Sequence, residues 1–216
     1  MWKSASILAF AFVFSQSASA ALVDNGTYLT DTISGLDWLK LTQTTDRSYK
    51  DVTLHMDAGS EFAGWQYATG AQFETLLLNQ GVVADTGCTD GTNLCGGANP
   101  TNYPIIDSLI NAIGDTWEQA YNNGASTSNA YATLGLLSDS GSDGSGHYVA
   151  VLGGSSLTAT PYARTHLGSP QGDFYHEAHV GSFLVRPSEV PLPAGGYLFV
   201  SAIVGLFGKR RFYKTN

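Results

Sequence analysis

Residues 64–81 read GWQYATGAQFETLLLNQG, and this stretch holds the signals that start, orient and stop a helix. The Thr69 hydroxyl can accept one of the orphan amides of a first turn, while Gln72, three residues on, can reach back to the Thr69 amide in a capping box. Ala68 and Phe73 stand at the two positions of a hydrophobic staple. Phe73, Leu76 and Leu77 recur at i, i+3 and i+4, so one face is apolar and turns inward. Gly81 suits the left-handed residue that commonly ends a helix. The stretch is a core helix, and its flanks decide what it packs against.

On the N-terminal side the pattern is strand-like. Thr27, Tyr28 and Leu29 and then Leu36 to Leu41 are separated by the turn formers Ser34 and Gly35, which predicts an opening β-hairpin. Ser48, with Asp51 three residues later, starts a short helix carrying Tyr49, Val52 and Met56, closed by Gly59 and Ser60. On the C-terminal side a helix is expected from Tyr103 to Ile113. Pro104 fits its first turn, Asp107 its positive end, and Ile105, Ile106, Leu109, Ile110 and Ile113 form an apolar stripe before Gly114.

Beyond Trp117 helical periodicity disappears. Tyr131 to Leu137, His147 to Leu152 and Ser182 to Arg186 are short runs rich in aliphatic and aromatic residues, as in strands. Ser138 to Gly146 (SDSGSDGSG) links the first two as a hairpin tip. Gly153 to Gly181 is long for a structureless connector and implies a surface excursion or a further strand. The fold class is therefore α+β, with two or three short helices and several short antiparallel strands. Between the first long helix and the next, TGCTDGTNLCGG carries Cys88 and Cys95, the only cysteines. A disulfide closing this small loop is favoured in an oxidising compartment, and no His or further Cys lies at metal-ligand spacing.

The termini address the chain. Lys3, an apolar run from Ala5 to Phe14 and the small-x-small site Ala18-Ser19-Ala20 make residues 1–20 a signal peptide, with Ala21 as the mature N-terminus. Val190 to Asn216 joins a motif with two prolines, an apolar run from Leu192 to Gly208 and a basic cluster of Lys209, Arg210, Arg211 and Lys214. A run of this length suits a transmembrane helix, which needs roughly 17–25 residues, and the cations behind it stay on the cytoplasmic side. Residues 21–189 then form one exported domain. Its eighteen acidic residues stand against five basic ones, Lys40, Arg47, Lys50, Arg164 and Arg186, a net charge of −13. A field of that sign disfavours nucleic acid and anionic polymers and keeps an exported protein soluble.

Val190, Pro191, Leu192, Pro193 and Ala194 resemble the sorting motif of the VPLPA subtype of PEP-CTERM proteins. The resemblance implies processing by an exosortase-type membrane enzyme of a Gram-negative bacterium that makes exopolysaccharide. The product would pass from an inner-membrane-anchored intermediate to the cell surface or extracellular matrix. Gly35 to Val52 is similar to the opening of a domain common in such exported proteins. Gly64 to Leu77 resembles the stretch before the helix of Lcl-type domains, named for the C-terminal domain of a collagen-like adhesin, although Gln66, Tyr67 and Ala68 replace the family's Arg-Leu-Pro. SFLVRP, Ser182 to Pro187, is similar to that family's closing strand. The resemblance implies a single C-type-lectin-like domain that binds or adheres, and it brings no catalytic residues.

Local chemistry adds little to this. Asp139 and Asp143, with Ser140 and Ser142, place hard oxygen ligands on a flexible turn, as calcium requires, but lack the twelve-residue frame of an EF-hand and its terminal Glu. The plainer reading is a solvated hairpin tip. Asp85, Asp90 and Asn93 around the cysteines are a second, equally sparse set. His176-Glu177-Ala178-His179 spaces its histidines three apart, where the helical zinc-protease motif needs four. Neither these nor His147 and His166 form a local metal motif, and no cofactor is expected. No nucleophile elbow, P-loop or dinucleotide fingerprint occurs. Glu61, Glu74, Glu118 and Glu177 are unpatterned carboxylates of the kind a glycosidase pairs. Trp38, Trp65 and Trp117 are expected to pack in the core rather than to form a sugar-stacking platform. The leading expectation is a non-enzymatic binding or adhesion module for exopolysaccharide or a surface protein. A polysaccharide hydrolase and a purely structural matrix component are the alternatives.

Overall fold

A computed structural model describes residues 22–83, 100–117, 130–142, 144, 146–155, 160–164 and 170–189. The signal peptide, the cysteine loop with Cys88 and Cys95, Asp143, His166, Glu118 and the sorting tail from Val190 onward lie outside these residues. Among the described residues no helix is long and apolar enough to cross a membrane; the expected transmembrane segment lies outside them.

The described residues are mixed α+β, and their elements include three α-helices, α1 to α3, and two sheets. The helix at the centre forms as its sequence dictates: α2 spans Gly70–Asn79 behind a complete capping box between Thr69 and Gln72. At its other end Gly81 adopts φ 87°. The Val82 N–H then donates to the Leu77 carbonyl and the Gly81 N–H to that of Leu78, a Schellman closure. Phe73, Leu76 and Leu77 are buried and Leu78 is exposed, so the apolar spacing sets the face. α3, Tyr103–Ile113, has the expected bounds and buries Ile106, Leu109, Ile110 and Ile113. Asp107 sits one turn in, leaving the first turn without an acid. α1, Tyr49–Leu54, is capped by Ser48, whose side chain accepts from the Asp51 amide, and ends at His55, short of Gly59.

The first sheet has the order β1-β2-β3-β9-β4, formed by Leu22–Asp24, Tyr28–Asp31, Leu36–Leu39, Leu184–Pro187 and Gln66–Tyr67. The opening hairpin is β2–β3, with Gly35 at φ 67° in its turn. Its second strand stops at Leu39, and Leu41–Gln43 is a 3-10 turn. The second sheet has the order β7-β6-β5-β8: Thr160–Arg164, His147–Ser155, Ala130–Ser140 and Val180–Ser182. β5 and β6 have eleven and nine residues, longer than expected. β7 is the strand hidden in the long connector. One pairing departs from the expected antiparallel set, since β5 and β8 run parallel.

The closing run SFLVRP is not one strand. It crosses between sheets at Phe183, with β8 before it and β9 after. The Phe183 amide donates to the Leu136 carbonyl and its own carbonyl accepts from the Ala68 amide, so no peptide group is orphaned at the crossing. The phenyl ring is fully buried against Trp38, at 6.4 Å, and Phe73, at 4.8 Å. This joins the sheets into one layer with apolar side chains on both faces. Leu29, Trp38, Leu137, Leu152 and Val185 meet α2 and α3 on one side. Leu39, Tyr67, Leu136, Val149 and Leu184 pack with Val52 of α1 and Phe62 on the other.

Candidate functional site

Alternation along the first sheet puts Thr30, Asp37 and Arg186 in one cross-strand row, with Thr30 opposite Asp37 and Asp37 opposite Arg186. Asp37 is buried, so its charge needs a partner. The Arg186 Nε–H donates to Asp37 Oδ2 at 3.0 Å, and the Thr30 hydroxyl donates to Oδ1 at 2.6 Å. Asn25 in turn donates to the Thr30 hydroxyl at 3.0 Å.

Trp65 reaches Arg186 from the neighbouring strand, because it directly precedes β4, which pairs with β9 through Gln66 and Val185. Its entry angle is set by a turn in which Gly64 takes φ 82° and the Trp65 amide donates to the Phe62 carbonyl. The guanidinium carbon lies 4.4 Å from the Trp65 ring centre and 4.7 Å from that of Tyr28. The two rings meet edge to face at 6.1 Å. The cation thus sits in an aromatic corner, a contact of about 0.5–2 kcal/mol per ring, with about a third of its side chain exposed. Among the described residues only Nε–H is engaged, and neither Nη group has a hydrogen-bond partner. The arrangement offers fixed donors beside two half-exposed aromatic rings, with the charge already balanced by Asp37.

The sequence singled out Trp65 but read it as core; Trp38 is core, whereas Trp65 and Trp117 are half-buried. No local sequence pattern groups Tyr28, Asp37 and Arg186. The available signal was an opposite-charge pair inside two otherwise apolar strands, LDWL and LVRP.

Other expected ligands are dispersed. Asp139 Oδ2 accepts the Gly70 amide at 2.6 Å and so satisfies the first turn of α2 from 69 residues away. Burial, followed by the Asp139 charge, raises the Glu74 carboxyl above its ordinary range. Glu61 pairs with Arg47 at 2.6 Å, and Arg47 also holds Asp51. His176 contacts Asp46 at 2.9 Å and His179 contacts Glu177 at 3.2 Å, so the two histidines of the HEAH run serve separate carboxylates. His147 stacks on Tyr49 at 3.4 Å, and Tyr49 on Tyr67 at 4.0 Å. Burial pushes the hydroxyl pKa of both tyrosines upward. Among the described residues no three His, Cys, Asp or Glu side chains gather closely enough to hold a metal ion. A cleft of about 490 Å³ beside α3 is lined by Leu22, Gln80, Pro104, Ile105 and Leu109, among others. It carries no ionisable side chain.

No family model, curated protein or solved structure matches this chain.

Proposed function

We propose that the chain is an exported binding or adhesion module of C-type-lectin-like architecture, acting at the cell surface or in the extracellular matrix on exopolysaccharide or a surface protein. The observation that carries this reading is the Arg186 corner: preset donors, a buried counter-charge and two half-exposed rings, the composition of a recognition surface. The −13 charge of residues 21–189 is in keeping with a soluble exported body. The VPLPA motif, the apolar run and the Lys209–Arg211 cluster support delivery through a membrane intermediate and an exosortase-type enzyme.

Intact mass of the protein from membrane and medium fractions of its native host tests the delivery. Loss of residues 1–20 and of the segment after the motif is expected in the medium; an unprocessed tail confined to membranes contradicts it. Pull-down with host exopolysaccharide and host surface proteins tests the binding, and retention of neither contradicts it.

One observation favours a hydrolase as the second reading. Burial, and then the charge of Asp139 at the start of α2, raises the Glu74 carboxyl above its ordinary range, and a carboxyl raised by its surroundings is what a glycosidase uses as its general acid. Polysaccharide turnover that is lost in both Glu74→Gln and Asp139→Asn would establish this reading; turnover unaffected by either would remove it.

A further inference from the structure

We propose that the Arg186 corner binds an uncharged polysaccharide, whose C–H groups pack against the parts of Trp65 and Tyr28 that Arg186 leaves uncovered while its hydroxyl oxygens accept from the Arg186 Nη groups. The inference rests on reading the chain as an extracellular binding module and names the ligand class of that site.

Charge accounting decides between neutral and acidic polymers. A guanidinium with both Nη groups open is geometrically suited to a carboxylate fork, so shape alone would admit a uronate. The charge, however, is already spent. Asp37 is buried against Nε, so the corner as a whole is neutral, and binding a carboxylate would place two anions on one cation. Neighbouring cations offer no help: Lys40 is held by Asp24 at 2.9 Å, and Arg47 by Asp51 and Glu61 at 2.6 Å each. With eighteen acids in the exported domain, an acidic polymer also approaches against the field. A neutral sugar meets none of these costs. Its C–H face is apolar and matches the half-exposed rings, and its oxygens supply the acceptors that the Nη donors lack. Asp37, Thr30 and Asn25 orient the fork through Arg186 and act as positioning residues.

The test uses the full-length protein in mild detergent and the exopolysaccharide of its host, separated by anion exchange into an unretained neutral and a retained acidic fraction. Affinity is measured for wild type, Trp65→Ala, Arg186→Lys and Phe174→Ala. Arg186→Lys keeps the charge facing Asp37 and removes the planar fork, so it reads recognition even if Trp65→Ala unfolds. Phe174 is 78% exposed, on the loop between Gln171 and Val180, and serves as the control for a loose aromatic contact. The expected result is binding of the neutral fraction, about tenfold weaker in Trp65→Ala and in Arg186→Lys. Binding should be unchanged in Phe174→Ala and insensitive to salt between about 0.05 and 0.5 M. Preference for the acidic fraction, lost with salt and dependent on Arg186, overturns the neutral ligand and leaves the module reading intact. Absence of Arg186-dependent binding to either fraction overturns the site itself.

Discussion

Individual contacts in this molecule are strict where backbone or aromatic atoms crowd a glycine. A Cβ on Gly135 would stand 2.6 Å from both Leu41 Cδ2 and Phe183 Cδ2. Gly135→Ala is therefore expected to cost about 1–3 kcal/mol as overpacking, read as a lower urea midpoint at unchanged slope. Thr69 is milder: Thr69→Ala removes one half of the capping box and should cost about 1 kcal/mol. Glu74 gives a pH signature. Its folded carboxyl is raised by burial and then by Asp139, so the folded state binds its proton more tightly than the unfolded chain does. That contribution is full below the unfolded pKa and is lost as pH rises through the folded one. Glu74→Gln should then raise the Tm slightly at pH 7 and leave it unchanged near pH 3; a lower Tm at pH 7 would contradict the assignment.

At the scale of elements, the helices were legible and the sheet architecture was only partly so. α2 and α3 announce themselves through 3.6-residue periodicity and end signals, all carried within a dozen residues. The crossing at Phe183 depends on Leu136, Ala68, Trp38 and Phe73, contacts 47 to 145 residues away, and no local pattern encodes them. β8 and β9 together read as one apolar run because the side chains on either side of the crossing are buried in different sheets. The parallel β5–β8 pair was hidden for the same reason. The candidate site was harder still, since Tyr28, Asp37 and Arg186 come from three strands and Trp65 from the turn before a fourth, and only β-pairing brings them together. Phe183→Ala tests the crossing, with an expected loss of about 3–5 kcal/mol by chemical denaturation. A loss below about 1 kcal/mol would mean that the two sheets do not depend on this ring.

For the whole molecule, the two sheets form one layer with α2 and α3 on one face and α1 on the other, and the Arg186 corner lies on the row of the first sheet that faces the α1 side. The loop before β8 is tied to the same side. Gln171 exchanges two 2.7 Å hydrogen bonds with His147, the Lys50 amide donates to Asp173, and the Asp46 amide to Glu177. These ties hold the loop, and Asp37 with Thr30 holds Arg186, so the surface is set before a ligand arrives, which reduces the entropy lost on binding. The acidic charge of residues 21–189 keeps that surface from collecting polyanions nonspecifically. The most direct measurement of the account is hydrogen–deuterium exchange of the full-length protein with and without the neutral fraction of host exopolysaccharide. Slowed exchange in Tyr28–Asp31, Gly64–Tyr67 and Leu184–Pro187 is the predicted result. Protection confined to the cleft beside α3, or to the loop carrying Phe174, would contradict it.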